Sequence, residues 1–340
     1  SEFISNSATA TSKSFGGAIS NYVYTEELVS TLNIGTIAGK FTGNYALATK
    51  SGSSSYGGAI SNYLSVDKNS VRMTIDSISG EFKNNYAKAT NAYGGAISNR
   101  VTSGSSLTIG SIIATFTGNY AEGTDSKGGA IYNNNTTITT INSTFKSNRA
   151  LMGGGIYNSG TINDISTSIF EGNENSGLYN TGTITTVSAT FTDNSATNGG
   201  AIFNSKNIGT ITGTFTGNSA NVGGAIYNTG TITNLSSSTF ENNNGSAIYN
   251  TNSIGVITAN FTGNSSDTTG GAISNSGRIT SIINSTFSGN YSNTLGGAIS
   301  STRSIDSLNG TFTGNYSTSG GGAVNNSGSF TLSNSTFTGN

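Results

Sequence analysis

Apolar side chains recur along this chain in a fixed order, separated by short polar stretches. A Gly-Gly-Ala-Ile phrase, an Ile-x-x-Ile pair and a Phe-x-x-Asn phrase follow one another repeatedly. The apolar residue that ends the first phrase and its variants occurs twelve times: Ile19, Ile60, Ile97, Ile131, Ile156, Leu178, Ile202, Ile226, Ile248, Ile273, Ile299 and Val324. From Ile131 onward these positions are 22 to 26 residues apart. A period of this length is typical of solenoids.

The other two apolar phrases keep the same period. The Ile-x-x-Ile pattern precedes the phenylalanine, as at Ile162/Ile165, Ile208/Ile211, Ile232/Leu235 and Ile279/Ile282. The phenylalanine of Phe-x-x-Asn occupies thirteen positions: Phe3, Phe41, Phe82, Phe116, Phe145, Phe170, Phe191, Phe215, Phe240, Phe261, Phe287, Phe312 and Phe337. Each phrase is a short run of β-branched and aromatic residues that ends in Asn, Gly or Ser, which predicts strands and turns. No helical periodicity is sustained.

Three short strands in each period predict one coil of a parallel β-helix. We expect about 12 coils stacked roughly 4.8 Å apart, because that is the spacing between paired strands. The strong preference for right-handed parallel crossovers predicts a right-handed solenoid. One coil cannot bury its apolar face alone, so stability comes from the stack. We therefore predict a single all-β solenoid over residues 1–340, with regular coils of about 24 residues at 131–340.

The coils at residues 1–130 are longer, with steps of 41, 37 and 34 residues between successive isoleucines. The additional segments are polar and are expected to form loops or extended strands beside the helix: residues 22–29, 50–56, 65–72 and 99–106. Surface segments on a rigid scaffold often carry function. Neutral tolerance of insertions is the alternative explanation.

Two columns of asparagine accompany the apolar phrases. The residue two places after the buried isoleucine is Asn in eleven of twelve copies, with Ser301 as the exception, and every Phe-x-x-Asn copy keeps its Asn. Stacked side-chain amides can hydrogen-bond from coil to coil. We predict structural ladders that include Asn158, Asn180, Asn204, Asn228 and Asn250 in the first column and Asn194, Asn218, Asn243 and Asn264 in the second.

The residue directly after the buried isoleucine is expected to point outward, since side chains alternate along a strand. Six consecutive copies carry an aromatic ring there: Tyr132, Tyr157, Tyr179, Phe203, Tyr227 and Tyr249. Two interpretations are open. The rings form a stabilising aromatic ladder, or they form a contact stripe for a glycan or a protein partner.

Composition narrows the chemistry further. The chain has 14 basic and 15 acidic residues, no His, no Cys and no Pro. Near-neutral charge gives no electrostatic drive toward nucleic acid, and no apolar stretch is long enough to span a membrane. Without His or Cys, the usual nucleophile–base pairs and soft-metal sites are excluded. We therefore expect no enzyme activity, no cofactor and no metal site.

Asp164, Asp193 and Asp306 fall in different columns, and Glu171 and Glu241 share a column but lie three coils apart. Lys146 and Glu171 each follow their phenylalanine by one residue in adjacent coils, and Arg149 and Glu174 each follow theirs by four. Both pairs should face each other and contribute about 0.2–1 kcal/mol each. The Gly-rich segment at residues 35–40 is one residue short of a phosphate-binding loop and is expected to lie in a strand.

The combination of Gly-Gly-Ala-Ile and Phe-x-x-Asn resembles the polymorphic outer-membrane proteins of chlamydiae, autotransporters whose passengers carry both tetrapeptides in many copies. The likeness covers essentially the whole chain. It implies a β-helical passenger at the bacterial cell surface, or secreted, that is not itself inserted in the membrane. It also implies adhesion to a host-cell or bacterial surface protein or glycan.

Two functional hypotheses from different classes follow. The first is an adhesin passenger, a rigid scaffold that presents a binding face. The second is a structural spacer or a filament subunit with homotypic end-to-end association, suggested by Phe-x-x-Asn phrases near both ends at residues 3–6 and 337–340. Binding of the purified chain to cells distinguishes the two.

Overall fold

The computed structural model describes residues 1–25, 30–66, 71–102 and 104–340. Every regular element in these ranges is a β-strand, and every strand pairing is parallel. Parallel neighbours are hydrogen-bonded to the equivalent residue of the next period: Ile97 faces Ile131, and Phe215 faces Phe240. The chain is therefore a parallel β-helix solenoid, as the repeat predicts.

The chain divides into two compact units, Ser1–Ile184 and Thr185–Asn340. Each is built from stacked coils in the same way. The extent of a single solenoid over residues 1–340 stays a prediction.

Unit 1 has one wall of long strands and one wall that begins at the repeated isoleucine. The long-strand wall contains Glu2–Ile4, Ser30–Thr42, Val71–Lys83, Ser106–Thr117, Thr137–Ile141, Thr144–Lys146 and Thr161–Glu171. The isoleucine wall contains Ile19–Thr25, Ile60–Val66, Ile97–Val101, Ile131–Asn134, Ile156–Asn158 and Leu178–Asn180.

Two further walls of unit 1 hold four short strands each. The first follows the Phe-x-x-Asn phrases and contains Ser7–Ala10, Tyr45–Ala48, Tyr86–Lys88 and Tyr120–Glu122. The second, here called the pre-glycine wall, ends at the residue before Gly-Gly and contains Lys13–Phe15, Ser54–Tyr56, Asn91–Tyr93 and Asp125–Lys127. Residues 54–56, part of a segment expected to form a loop or an extended strand, are therefore strand.

Unit 2 repeats the two main walls. Its long strands are Thr183–Thr192, which contains the unit boundary, Asn207–Thr216, Thr231–Glu241, Ser253–Thr262, Arg278–Ser288 and Ile305–Thr313, with the shorter Phe330–Leu332 and Thr336–Thr338. Its isoleucine wall contains Ile202–Asn204, Ile226–Asn228, Ile248–Asn250, Ile273–Asn275, Ile299–Ser301 and Val324–Asn326. Short strands follow Phe-x-x-Asn at Ser195–Asn198, Ser219–Val222, Ser265–Ser266, Tyr291–Ser292 and Tyr316–Ser317.

In most coils the Ile-x-x-Ile run and the phenylalanine run share one strand of 9 to 13 residues. The expectation of separate strands of five or six residues is wrong there. Thr231–Glu241 shows the reason, because its register against Ser253–Thr262 shifts between Ser236 and Ser238. Ser237 lies in the left-handed region with φ 50°. A β-bulge absorbs one extra polar residue without ending the ladder.

The core is made of equivalent side chains stacked from coil to coil. The phenylalanines of the Phe-x-x-Asn phrases from Phe41 to Phe312 are completely buried. Their ring centroids are 4.6 Å apart for Phe41–Phe82 in unit 1 and 4.7 Å apart for Phe215–Phe240 in unit 2, with nearly parallel planes. Such offset stacks stabilise by about 0.5–1.5 kcal/mol per pair beyond burial.

The repeated Gly-Gly forms a tight corner before the isoleucine wall. Gly223 adopts φ 64°, and a Cβ there would lie 2.5 Å from the carbonyl oxygen of Ile226. A Cβ on Gly224 would lie 2.3 Å from the carbonyl oxygen of Asn244 in the next coil. The first glycine is required for its left-handed backbone and the second for close approach of coils.

Both asparagine columns lie inside the corners and are buried. In the first column, Nδ2 of Asn204 donates to Oδ1 of Asn228 at 2.8 Å, and the same bond joins Asn228 to Asn250. In unit 1, Asn158 donates to Asn180 at 2.9 Å. Where Asn is replaced, Nδ2 of Asn275 donates to the Ser301 hydroxyl at 3.0 Å.

The second column is bonded to side chains and to the backbone. The Asn218 amide Nδ2 donates to Asn243 Oδ1 at 3.0 Å and to the Phe191 carbonyl at 2.9 Å, while its Oδ1 accepts from Nδ2 of Asn194 at 3.0 Å. Asn243 continues the column to Asn264 at 2.9 Å. These side chains satisfy buried backbone groups at each corner.

Candidate binding surface

The predicted aromatic stripe is less exposed than the sequence suggests. In unit 1, Tyr132 is 7% and Tyr157 is 9% exposed, so the expectation that these two rings face solvent is wrong. Tyr179 is half-buried. In unit 2, Phe203, Tyr227 and Tyr249 are half-buried as well.

The rings of unit 2 stack on one another. Ring centroids lie 5.3 Å apart for Phe203–Tyr227 and 5.4 Å apart for Tyr227–Tyr249. Burial, together with the neighbouring Tyr249, raises the pKa of the Tyr227 hydroxyl. Stacking covers much of each ring face.

In unit 1 the stripe continues into a different wall. Tyr132 stacks on Tyr157 at 5.6 Å on one side and on Tyr93 at 4.8 Å on the other. Tyr93 stands at the end of the pre-glycine wall, and the column continues through Tyr56 at 5.3 Å to Phe15 at 5.1 Å. This ladder explains why Tyr132 is buried.

The sequence carries a signal for this switch of walls. In the first three copies a serine follows the buried isoleucine and an aromatic residue directly precedes Gly-Gly: Phe15 with Ser20, Tyr56 with Ser61 and Tyr93 with Ser98. The next copy reverses the pattern, with Lys127 and Tyr132. In these coils of unit 1, one ring occupies the same space from either of two positions.

A second column of side chains lies beside this ladder in the isoleucine wall. Tyr22, Tyr63 and Arg100 occupy equivalent places in three successive coils. The Tyr63 ring lies 5.4 Å from Tyr22 and 5.4 Å from Phe15. Tyr22 is 51% exposed, and Tyr63 and Phe15 are half-buried. We call Phe15, Tyr22, Tyr56, Tyr63 and Arg100 the aromatic–arginine surface.

Arg100 closes one side of the surface. Its guanidinium carbon lies 5.1 Å from the Tyr56 ring centroid and 5.2 Å from that of Tyr63, within cation–π range. Nη1 donates a hydrogen bond to the Tyr56 hydroxyl at 2.5 Å. The two tyrosine rings are parallel, with an interplanar angle of 1°. Among the residues that the structure describes, the arginine is therefore held by tyrosine rings and has no carboxylate partner.

The neighbouring charged cluster is internally paired. The Lys127 ammonium lies 2.9 Å from Asp125 Oδ1, and the Tyr93 hydroxyl donates to Asp125 Oδ2 at 2.8 Å. Burial opposes ionisation of Asp125, but the bonds from Lys127 and Tyr93 outweigh it and lower the pKa of that carboxyl. Burial and the bond to Asp125 raise the pKa of Tyr93.

A groove of about 370 Å³ opens at the exposed end of the surface. Phe15 and Tyr22 supply its aromatic lining, the exposed Ser20 supplies a hydroxyl, and the exposed Lys13 supplies a positive charge. An open groove with aromatic and polar lining fits a ligand that has both an apolar face and hydrogen-bonding groups.

The long polar segments and the aromatic stripe, which the sequence left as alternative binding regions, meet here. Tyr22, Tyr56 and Arg100 come from the segments 22–29, 50–56 and 99–106, while Tyr132 continues the same ladder. Residues 26–29, 67–70 and 103 lie outside the described ranges.

A third aromatic column on unit 1 is separate. Tyr45, Tyr86 and Tyr120 stack at 5.0 and 4.9 Å, and the Arg149 guanidinium lies 5.8 Å from the Tyr120 ring centroid. Arg149 and Glu174 are backbone bridge partners, but the described residues show no salt bridge between their side chains.

The other charged and Gly-rich segments singled out in the sequence form no catalytic or metal site among the described residues. Lys146 and Glu171 pair at 2.7 Å, as predicted. The Gly-rich segment 35–40 lies within the strand Ser30–Thr42. Among the residues that the structure describes, no group of three acidic side chains could hold a metal ion, and no helix is long and apolar enough to cross a bilayer.

Five segments of the chain match the family model for the Chlamydia polymorphic membrane protein (Chlamydia_PMP) repeat: residues 114–134, 188–205, 212–229, 258–276 and 284–302. The chain carries repeats of this family, and the resemblance seen in its two tetrapeptides is confirmed. No curated protein and no solved structure matched the chain. Repeats of this family are associated with the outer membrane and cell surface, which supports a surface or secreted location.

Proposed function

We propose that this chain is a passenger segment that acts as an adhesin, with the aromatic–arginine surface as its binding face. The observation that carries the proposal is the Arg100 guanidinium over the Tyr56 and Tyr63 rings, with no salt-bridge partner among the described residues. Exposed aromatic side chains with an adjacent arginine are enriched in the energetic centres of interfaces. The parallel coils below hold the rings at fixed positions, so little ordering entropy is lost on binding.

A role without catalysis fits the same features. The chain has no His or Cys to serve as base or nucleophile. Its carboxylates in this region are committed: Asp125 accepts bonds from Lys127 and Tyr93, and Glu122 pairs with Lys88 at 2.9 Å. Repeated β-helical surface proteins of this kind are typically structural or adhesive.

The test is saturable binding of the purified chain to epithelial cells, comparing wild type with a Tyr22→Ser/Tyr63→Ser variant. The matched control is Tyr316→Ser, which removes a 57% exposed tyrosine from unit 2. We expect the double variant to lose at least tenfold in affinity and the control to bind like wild type. Circular dichroism checks that all three proteins fold.

Two outcomes contradict the proposal. Equal binding by wild type and the double variant would move the binding face elsewhere on the molecule. The absence of saturable binding by every protein would favour the spacer or filament hypothesis.

A further inference from the structure

Arg100 is a cation without an acidic partner in the described part of the chain. Salt bridges there join Lys88 to Glu122 and Lys127 to Asp125, but no carboxylate lies within 4.0 Å of the Arg100 guanidinium. Its one hydrogen bond goes to the neutral Tyr56 hydroxyl. A guanidinium has five N–H donors in a planar fork. Donors therefore remain for an external acceptor.

Positive charges outnumber negative charges among the described residues around the aromatic–arginine surface. Among the described residues, Lys13, Arg100 and Lys127 stand on or beside it, with the acid Asp125. These four described charges sum to +2, in a chain whose net charge is −1. A ligand with negative charge is favoured here, and part of the attraction is screened by salt.

The tyrosine rings beside Arg100 indicate a second property of the ligand, which is a face that packs on an aromatic ring. Tyr22 and Tyr63 are 5.4 Å apart, with the Tyr63 ring beside the guanidinium and Tyr22 more exposed. The C–H face of a pyranose packs against an aromatic ring, and its hydroxyl groups stay hydrated or bond to neighbouring polar groups. The hydroxyl of the exposed Ser20 lies in the adjoining groove.

We propose that the aromatic–arginine surface binds an acidic glycan whose sugar ring carries a carboxylate. The carboxylate accepts hydrogen bonds from the Arg100 guanidinium, and the pyranose rings pack on Tyr63 and Tyr22. A planar carboxylate fits the planar fork of arginine with two parallel bonds, which a lysine cannot reproduce. This inference rests on the proposed adhesin function and names the ligand class of the same surface.

The test measures binding of an oligosaccharide of alternating glucuronate and N-acetylglucosamine by titration calorimetry. The paired probe is the same oligosaccharide with its carboxyl groups reduced to alcohols. We expect the reduced probe to bind at least tenfold more weakly. Arg100→Gln should lose at least tenfold for the acidic probe, and Arg100→Lys should recover only part of that loss.

The chain offers a matched control for the arginine. Arg149 also lies over a tyrosine ring of unit 1, but in the separate column of Tyr120. Arg149→Gln should bind the acidic probe like wild type. Tyr63→Leu should weaken both probes, because it removes the ring on which the sugar packs. Melting temperatures of all variants show whether a loss comes from unfolding.

Several results would overturn the inference. Equal affinity for the acidic and reduced probes would show that the carboxylate is not recognised. An equal loss in Arg149→Gln would indicate general electrostatic attraction. Tenfold tighter binding of a sulfated glycan, or equal binding of a poly-glutamate peptide, would assign another ligand class. Failure to bind the acidic probe, with cell binding retained and still sensitive to Tyr22→Ser/Tyr63→Ser, would remove this inference and leave the adhesin proposal standing.

Discussion

The ring of Tyr93 lies 4.8 Å from the ring of Tyr132, although the two residues come from different walls of the solenoid. Tyr132 is paired in register with Ser98, not with Tyr93. The ring of Tyr93 thus fills the space above Ser98 that a tyrosine at position 98 would occupy. The aromatic ladder of unit 1 is continuous because the ring comes from the pre-glycine wall in some coils and from the isoleucine wall in others.

We predict that Ser98→Tyr destabilises the protein. Ser98 is 1% exposed beneath the ladder, so a second ring in the same coil overpacks the site and costs about 1–3 kcal/mol. The double variant Tyr93→Ser/Ser98→Tyr should recover most of this loss, because it returns the coil to one ring. Chemical denaturation of both variants measures the difference. If the double variant is no more stable than Ser98→Tyr alone, the two positions do not share one space.

Truncating a ladder amide should be costly. Asn218→Ala leaves the Phe191 carbonyl and the donors from Asn194 without partners in a fully buried corner. Each buried unpaired group costs about 1–3 kcal/mol, so we expect the free energy of unfolding to fall by roughly 2–5 kcal/mol. Asn252→Ala is the control, since its amide makes an exposed bond to the Thr229 carbonyl at 3.1 Å. Similar losses for both variants would show that the column does not stabilise the corner.

Stability should fall at alkaline pH. Burial raises the pKa of Tyr132, and burial with the bond to Asp125 raises the pKa of Tyr93, above the usual value of about 10. The folded state therefore holds these protons more tightly than the unfolded state. Their contribution is complete below about pH 10 and is lost as pH rises through the folded values.

Thermal melts from pH 8 to 11.5, with tyrosinate absorbance recorded in parallel, measure this effect. We expect the melting temperature to drop above pH 10 and part of the tyrosinate signal to appear only with unfolding. Tyr132→Phe should show a shallower drop. Titration of all tyrosines near pH 10 without loss of structure would contradict the prediction.

Exposed ion pairs should contribute little. Lys146 and Glu171 are 49% and 43% exposed, so solvent screens their 2.7 Å contact. Glu171→Gln should change the free energy of unfolding by less than about 1 kcal/mol, and 1 M salt should remove the difference. A larger effect in denaturation experiments would mean that this pair is coupled to the coil register.

Much of the core followed from the spacing of residues alone. Phe215 and Ile226 had to face inward because their period of about 24 residues matches one coil, and the structure buries both completely. Gly223 takes a left-handed backbone, which glycine adopts without the steric penalty of a Cβ. The sequence does not show that the Ile-x-x-Ile run and the phenylalanine run form one strand. Ser237 resembles a turn residue, but the strand pairing continues past it through a β-bulge.

The sequence by itself determined the parallel β-helix, the stacked Phe and Ile columns and the asparagine corners, because each follows from a period that repeats in register. Only the tertiary structure decided which aromatic rings face solvent. A ring is exposed or buried according to whether a ring from another wall stacks on it, as the Tyr93 ring stacks on Tyr132. It also brought Arg100 between Tyr56 and Tyr63, 44 and 37 residues earlier in the chain, because stacking makes residues one coil apart into neighbours.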